Sequence, residues 1–211
     1  DITNKKFIYE MLSKNNVDTI VNFAAETHVD NSIKFPNLFF NSNLRGTYNL
    51  IETANKYYQK NLDKLKKNFR FHQISTDEIY GSLKLKDKPF TEKNQYLPNS
   101  PYSASKAGAD HIVRSFYKTY QLPITISACS NNYGPFQNSE KLIPKIISNC
   151  IDNKEIPIYG DGLNIRDWIY VDDHCEAVYK ILKFGKVGDT YNVGSNNEVN
   201  NITITKLICD I

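Results

Sequence analysis

Two short stretches of this 211-residue chain carry side chains that could do chemistry together. In Tyr102-Ser103-Ala104-Ser105-Lys106 a phenol and an amine stand four residues apart, and on a helix that spacing puts them on one face. An unperturbed phenol ionises near ~10. A neighbouring ammonium favours the phenolate, which makes Tyr102 a workable base close to neutral pH. The pattern alone is weak in a chain with 14 tyrosines, where a chance surface pair is the competing reading. In STDEIYG, residues 75–81, Asp77 and Glu78 lie side by side where an apolar run that starts at Phe69 is ending. Paired acids often mark a solvated turn. Close like charges also split carboxyl pKa values, so such a pair can hold a base and an acid in different proton states. Successive strand side chains point to opposite faces. Both acids therefore reach one substrate only if the strand has ended and the chain is turning, as Gly81 permits.

The elements that must hold these residues follow from hydrophobic spacing. Helical spacing runs over Phe7–Leu12, Leu38–Tyr58, Tyr102–Tyr120, Leu142–Ile151 and Asp172–Leu182, the last with Asp172 available as N-cap. Strand-like apolar runs cover Val17–Phe23, Phe69–Ile74, Pro123–Cys129 and Thr190–Val193. Near-continuous apolar strands alternating with amphipathic helices predict βαβ units and a doubly wound parallel sheet, an α/β Rossmann-like fold. Ligands of such sheets lie beyond the carboxyl ends of the strands. STDEIYG sits at such an end, as do AAETHVD (24–30) and SNNYGP (130–135). The basic stretch 60–70 reads as a solvated loop and 89–101 as a polar surface loop. A Rossmann-like domain is expected over 1–137. From 138 to 211 the pattern loosens, which predicts a segment that builds a smaller, substrate-facing lobe and supplies the last sheet strands.

Composition narrows the partners. A hydrophobic share of 40% and a charged share of 23% are those of an ordinary globular core and surface. A net charge of +3 argues for neither nucleic acid nor a membrane surface as partner. No apolar run approaches the ~20 residues of a membrane span. Cys129, Cys150, Cys175 and Cys209 form no C-x-x-C and read as buried free thiols of a reducing, cytoplasmic setting, with no metal site suggested. The sequon at Asn201 reads as chance.

With Thr76 added as a hydroxyl, the Tyr102/Lys106 pair resembles the short-chain dehydrogenase/reductase superfamily, in which such residues handle an alcohol–ketone couple beside a nicotinamide. The resemblance is closer to one branch. AAETHVDNS, STDEIYG, SPYSASKAGADH, CSNNYGP, EKLIPK, PIYGDG, IRDWIYVDDH and TYNVGSNNE follow one another as in the nucleoside-diphosphate-glucose 4,6-dehydratases, the dTDP-glucose enzymes above all. That family implies a lyase with catalytic NAD acting on a nucleotide sugar of the dTDP- or UDP-glucose kind, usually toward a deoxysugar such as rhamnose. It also implies a homodimer formed through the helices at 38–58 and 102–120. By resemblance, Tyr102 takes the proton of the C4 hydroxyl, Thr76 hydrogen-bonds the sugar oxygen, Glu78 removes the C5 proton and Asp77 protonates the departing C6 hydroxyl. Sister 4-epimerases carry small neutral residues at the two acids, and glucuronate decarboxylases keep only the glutamate. A non-catalytic binding module would not need Thr76, Asp77, Glu78, Tyr102 and Lys106 together.

The same resemblance assigns Ala24, Ala25, Glu26, Thr27, Ser42 and Asn132 to the NAD side along with Tyr102 and Lys106. It places His28 between substrate and cofactor and makes Asn131 a sugar or phosphate contact. Lys141, Leu142, Pro157, Tyr159, Arg166 and Asn201 fall on the nucleotide-binding side. Arg166 suits a diphosphate because its planar fork donates two parallel hydrogen bonds. His28 also reads as a helix-capping histidine, and Arg166 as the partner of Asp167 or Asp172. A complete Rossmann cofactor site needs a first strand, a glycine-rich turn and an acid for the ribose. None of these occurs here, so the sequence reads as a fragment, with negligible NAD binding expected of these 211 residues alone.

Overall fold

A computed structural model of the chain describes residues 1–83, 87–158 and 160–211. It divides into two compact units, one made of 1–128 and 178–192, the other of 129–177 and 193–211. The division is interleaved, whereas the sequence suggested one boundary at 137/138.

The first unit opens with helix α1 (Lys5–Lys14), capped by Asn4, whose side chain accepts from the Phe7 amide. Strand β1 (Thr19–Asn22) follows, then the short helices α2 (Val29–Lys34) and α3 (Pro36–Phe39). A π-helical segment, Phe40–Arg45, leads into α4 (Gly46–Lys60). The single helix read over 38–58 is thus helical throughout but carries an inserted π turn, a feature that periodicity cannot show and that often marks functional positions. The basic stretch after it is not only loop. It contains helix α5 (Leu62–Leu65), and Leu65 is buried. Strand β2 (Arg70–Thr76) ends in a 3-10 turn, Asp77–Tyr80. Helix α6 (Pro101–Tyr120) then leads to β3 (Ile124–Cys129).

Helix α6 starts where it does for a local reason. Pro101 occupies the first turn, where a missing N–H costs nothing. Ser100 and Ser103 form a reciprocal capping box, each side chain accepting from the other's amide at 3.0 Å. The helix stops at Gln121, which adopts a left-handed conformation with φ 57°.

The sheet of this unit runs β1-β2-β3-β6, with β6 at Thr190–Val193. Strands β1 and β2 pair in parallel, with Thr19 opposite Arg70 and Asn22 opposite Gln73. Helices α1, α4 and α6 pack side by side, and α6 lies on β2. Their shared core includes Ile51, Ala54, Phe71, Val113, Leu122 and Ile124. The strands are less apolar inside than their sequence spacing suggests. Buried His72 of β2 bridges to Thr125 at 2.8 Å and Ser127 at 3.0 Å on β3. Asn22 donates to Gln73 at 2.9 Å and to Thr47 of α4 at 3.2 Å. These polar rungs satisfy groups that would otherwise be costly to bury.

The second unit has a three-stranded sheet in the order β4-β5-β7. Strand β4 (Asn131–Tyr133) runs parallel to β5 (Ile165–Tyr170), and β5 is antiparallel to β7 (Glu198–Asn200). Helices α7 (Leu142–Ile151) and α9 (Asn201–Cys209) pack together. Helix α8 (Val171–Phe184) starts at Val171, so Asp172 lies inside its first turn and not at the N-cap. A carboxylate there still opposes the positive end of the helix dipole.

The cysteines are free, but Cys175 and Cys209 are exposed and the other two half-buried, which corrects the expectation of buried thiols. Among the described residues no helix is long and apolar enough to cross a membrane, and no group of three or more His, Cys, Asp or Glu could hold a metal ion.

Phe71 is fully enclosed in the larger core. Phe71→Ala is expected to lower unfolding free energy by about 3–5 kcal/mol, read as a fall in urea midpoint. The same change at Phe7, which is 51% exposed, is expected to cost well under half of that.

Candidate functional site

The end of β2 builds the acidic half of the site. Thr76 keeps an extended backbone, and its hydroxyl oxygen accepts from the Glu78 amide at 3.3 Å, which caps the 3-10 turn. The strand has ended before Asp77. In a 3-10 turn successive side chains are about 120° apart, not opposed as in a strand, so the adjacent acids escape strand alternation. Asp77 and Glu78 are half-buried, while Ile79 and Tyr80 are buried. Ile79 and Tyr80 anchor the turn in a small second core with Ala107 and Ala128, against which Phe90 and Tyr96 pack. The Tyr80 hydroxyl donates to Asn192 at 2.9 Å, and burial pushes this phenol up to about 12. Gly81 closes the turn at φ +96°, and a Cβ there would meet the Leu97 carbonyl oxygen at 2.6 Å. Only glycine fits both conditions.

Helix α6 supplies the other half. Tyr102 and Lys106 are buried, and Tyr102 meets the ring of Phe39 edge-on at 6.3 Å between centroids. The Lys106 ammonium donates to the Ile74 carbonyl at 2.6 Å. One turn further along α6, the buried Asp110 carboxylate accepts from Ser75 at 2.5 Å. Two consecutive β2 residues are therefore docked on the same helix, directly before Thr76. Burial pushes Asp110 up to about 7, against the lowering effects of the Lys106 charge and the Ser75 hydroxyl.

The loop after β1 is fastened to the same helix. Asn43, buried in the π-helical segment, accepts from the Glu26 amide at 2.8 Å and donates to the Glu26 carbonyl at 3.0 Å. It also donates to Ser105 at 2.9 Å, and Ser105 donates to the Tyr102 carbonyl at 2.7 Å. Within this loop, after the exposed Phe23 that follows β1, Ala24 is exposed and Ala25 half-buried, each presenting only a methyl group. Short side chains such as those of Ala24 and Ala25 are what a dinucleotide needs at a strand end; Glu26 is held by Asn43, and Ser42 is the residue before Asn43. His28 is the N-cap of α2, its ring nitrogen accepting from the Asn31 amide at 3.4 Å, which is the structural alternative noted for it.

The second unit holds the remaining candidates. Asn131 and Asn132 lie on β4 opposite Trp168 and Ile169. The Asn132 side chain donates to the Ser130 carbonyl at 3.0 Å, and its oxygen pairs with His174 Nδ1 at 2.7 Å. An amide oxygen only accepts, so Nδ1 carries the proton, and burial lowers the His174 pKa, favouring the neutral ring. Lys141 and Leu142 begin α7, Pro157 is exposed, and Tyr159 lies outside the described residues. Arg166 is exposed on β5 opposite Val199, near Asn201 at the start of α9. Asp167 is not committed to Arg166. It accepts from the Ser195 amide at 2.9 Å, the Ser195 hydroxyl at 2.8 Å and the Asn197 amide at 2.8 Å.

Sequence reading missed Asn43, Ser75, Ser105, Asp110 and His174. Asn43 passes for a solvated polar residue on an amphipathic helix. Asp110 had a usable signal, since it continues the four-residue spacing that joins Tyr102 to Lys106.

A Rossmann-like α/β sheet with a Tyr-x-x-x-Lys helix docked on a Thr-Asp-Glu strand end defines an extended short-chain dehydrogenase/reductase type of protein. The profile of the family described as GDP-mannose 4,6 dehydratase matches residues 1–211, and the chain belongs to that family. It is 47% identical to dTDP-glucose 4,6-dehydratase of Neisseria meningitidis, over 99% of this chain and 59% of the relative. With the Haemophilus influenzae dTDP-glucose 4,6-dehydratase it shares 48% identity, over 100% of this chain and 62% of that one. The crystal structure of dTDP-glucose 4,6-dehydratase from Streptomyces venezuelae, which has NAD bound, superposes with a TM-score of 0.92 at 40% identity, covering 100% of this chain and 61% of that one. The Bacillus anthracis enzyme in complex with NAD gives 0.87 at 45%, covering 100% and 62%. The chain thus spans about three fifths of the length of these relatives.

Asn43→Ala removes three hydrogen bonds of a buried side chain, the one to Ser105 buried and the two to Glu26 partly so. It is expected to lower stability by about 2–3 kcal/mol, read as a fall in melting temperature. For Asp167, burial pushes the carboxyl up, but the hydrogen bonds from the amides of Asn197 and Ser195 and from the Ser195 hydroxyl outweigh it and hold the pKa below the usual 3.8. A lowered folded pKa adds stability that is present above the unfolded value and lost as pH falls below it. Asp167→Asn is therefore expected to cost stability at pH 7, with the difference from the parent narrowing below about pH 4 in urea titrations.

Proposed function

We propose that the intact protein is an NAD-dependent dTDP-glucose 4,6-dehydratase that converts the nucleotide sugar to its 4-keto-6-deoxy form. The observation that carries this reading is the docking of β2 on α6. Lys106 bonds Ile74 and Asp110 bonds Ser75, so the Tyr102/Lys106 helix is held to the strand that ends in Thr76, Asp77 and Glu78. An epimerase needs the helix but not the two acids. A dehydratase needs both.

NAD, when bound, accepts a hydride from C4 and later returns it to C6. The protein's own residues move the protons. Tyr102 takes the proton of the C4 hydroxyl, helped by the neighbouring Lys106 charge, and Thr76 orients the same oxygen. The resulting ketone acidifies the C5 hydrogen. Glu78 removes it, Asp77 delivers a proton to the C6 hydroxyl, which leaves as water, and once hydride has returned to C6 the proton held by Glu78 goes back to C5. The acids therefore work in opposite proton states, as neighbouring carboxyls can. Ala24, Ala25, Glu26, Thr27, Ser42 and Asn132 are assigned to the cofactor. His28, Asn131, Lys141, Leu142, Pro157, Tyr159, Arg166 and Asn201 are assigned to the nucleotide sugar.

The same family likeness favours a homodimer through the helical segments at 38–58 and 102–120, and the exposed apolar side chains of Leu38 and Phe40 in the first of them suit such a contact. A cytoplasmic setting fits the free cysteines.

The test is incubation of the intact protein with dTDP-glucose, followed by alkali and ultraviolet detection of the ionised 4-keto product. Glu78→Gln is expected to lower product formation by about 10²–10⁴-fold while single-turnover oxidation at C4 stays measurable. Dehydration by that variant at the parent rate would remove Glu78 from the elimination.

A further inference from the structure

Tyr102, Lys106 and Asp110 occupy three successive turns of one face of α6. The first two are accounted for by the proposed chemistry, on which this inference rests. The third is not. Asp110 is 1% exposed. One carboxylate oxygen accepts from Ser75, and the other is buried with no hydrogen-bond partner among the described residues. Enclosing a carboxyl is costly, more so with an oxygen unpaired. Anchoring Ser75 does not require it, since an asparagine would accept the same bond. What a carboxyl adds over an amide is a charge that can be switched on.

We propose that Asp110 is a positioning residue that tunes the charge balance around Lys106 and, through it, the readiness of Tyr102 to take up and release a proton. The charged and titratable groups around it are Lys106 on its own helix, Tyr80 on the turn after β2 and Tyr96 on the loop before α6. Arg114 and His111 of α6 lie beside Tyr96, and Asp77 acts on Tyr80. Lys106 is the cation among these that acts on the Asp110 carboxyl. When Asp110 is ionised, its charge offsets the Lys106 field that favours the Tyr102 phenolate. When it is protonated, that field is felt in full. Its carboxyl titrates near neutrality, so the offset changes in the working range of a base.

Asp110→Asn keeps the acceptor for Ser75 and fixes the uncharged condition. Asp110 lies about 12 Å of helix rise beyond Tyr102, and removing a unit charge at about that range is expected to lower the Tyr102 titration by about one pH unit. The readout is phenolate absorbance of the intact protein without substrate, for the parent and Asp110→Asn, each with and without Tyr102→Phe, so that the difference isolates Tyr102. Ser75→Ala breaks the anchor but keeps the charge, and its shift is expected to be less than half as large. Should Asp110→Asn not fold, Asp110→Leu, an apolar near-isostere, carries the same expectation. An unmoved Tyr102 titration overturns the proposal, as does an equal shift from Ser75→Ala, which would make the anchor and not the charge responsible. Failure of the parent to dehydrate dTDP-glucose would remove the functional reading without touching this titration. An active parent whose Tyr102 does not respond to Asp110→Asn would remove the role of Asp110 alone.

Discussion

The contact on which the first unit's site depends is the seam between β2 and α6. It consists of the Lys106 ammonium on the Ile74 carbonyl and the Asp110 carboxylate on the Ser75 hydroxyl. Both are charge-assisted and buried, the kind of hydrogen bond that is short, directional and costly to break. Because these residues precede Thr76, the seam sets where the strand stops and where the acidic turn begins. A purely apolar seam would hold the layers together but would tolerate sliding. The polar pair fixes one register.

The seam continues outward on both sides. Asn43 carries the loop after β1 to the same helix through Ser105, one residue before Lys106. On the other side Tyr80 ties the acidic turn to Asn192, whose amide donates to Glu92 in the loop before α6. Small residues keep these approaches close. A Cβ at Gly81 would collide with the Leu97 carbonyl, and one at Gly108 would lie 2.7 Å from a methyl of Leu44. Preorganisation here comes from side chains that satisfy the backbone of a neighbouring element, which is how loops at strand ends gain precision.

The alternation of strands and helices was legible in the residues because burial imposes its period on sequence. Val17–Phe23, Phe69–Ile74 and Pro123–Cys129 fall on β1, β2 and β3, and Tyr102–Tyr120 on α6. The turn at Asp77 was legible as well, since two adjacent acids and a following glycine cannot sit inside a buried strand. Less visible were elements whose stability is borrowed from elsewhere. Strand β4 has three residues and β7 has three, and neither shows a pattern until each pairs with β5. Asn43 and His174 escaped because nothing in a single polar residue says which buried amide or carbonyl it will meet. Asp172 looked like a helix cap, but β5 runs straight into α8 and the helix starts one residue earlier.

The interleaving of the two units has a consequence for how the chain is made. Residues 178–192, which bring the fourth strand to the first sheet, leave the ribosome only after 129–177 of the other unit. The first unit therefore waits with an unpaired edge on β3 during synthesis, and exposed edges invite wrong partners. Neither unit corresponds to one uninterrupted stretch of message, so a nick or insertion between 128 and 178 divides both bodies at once.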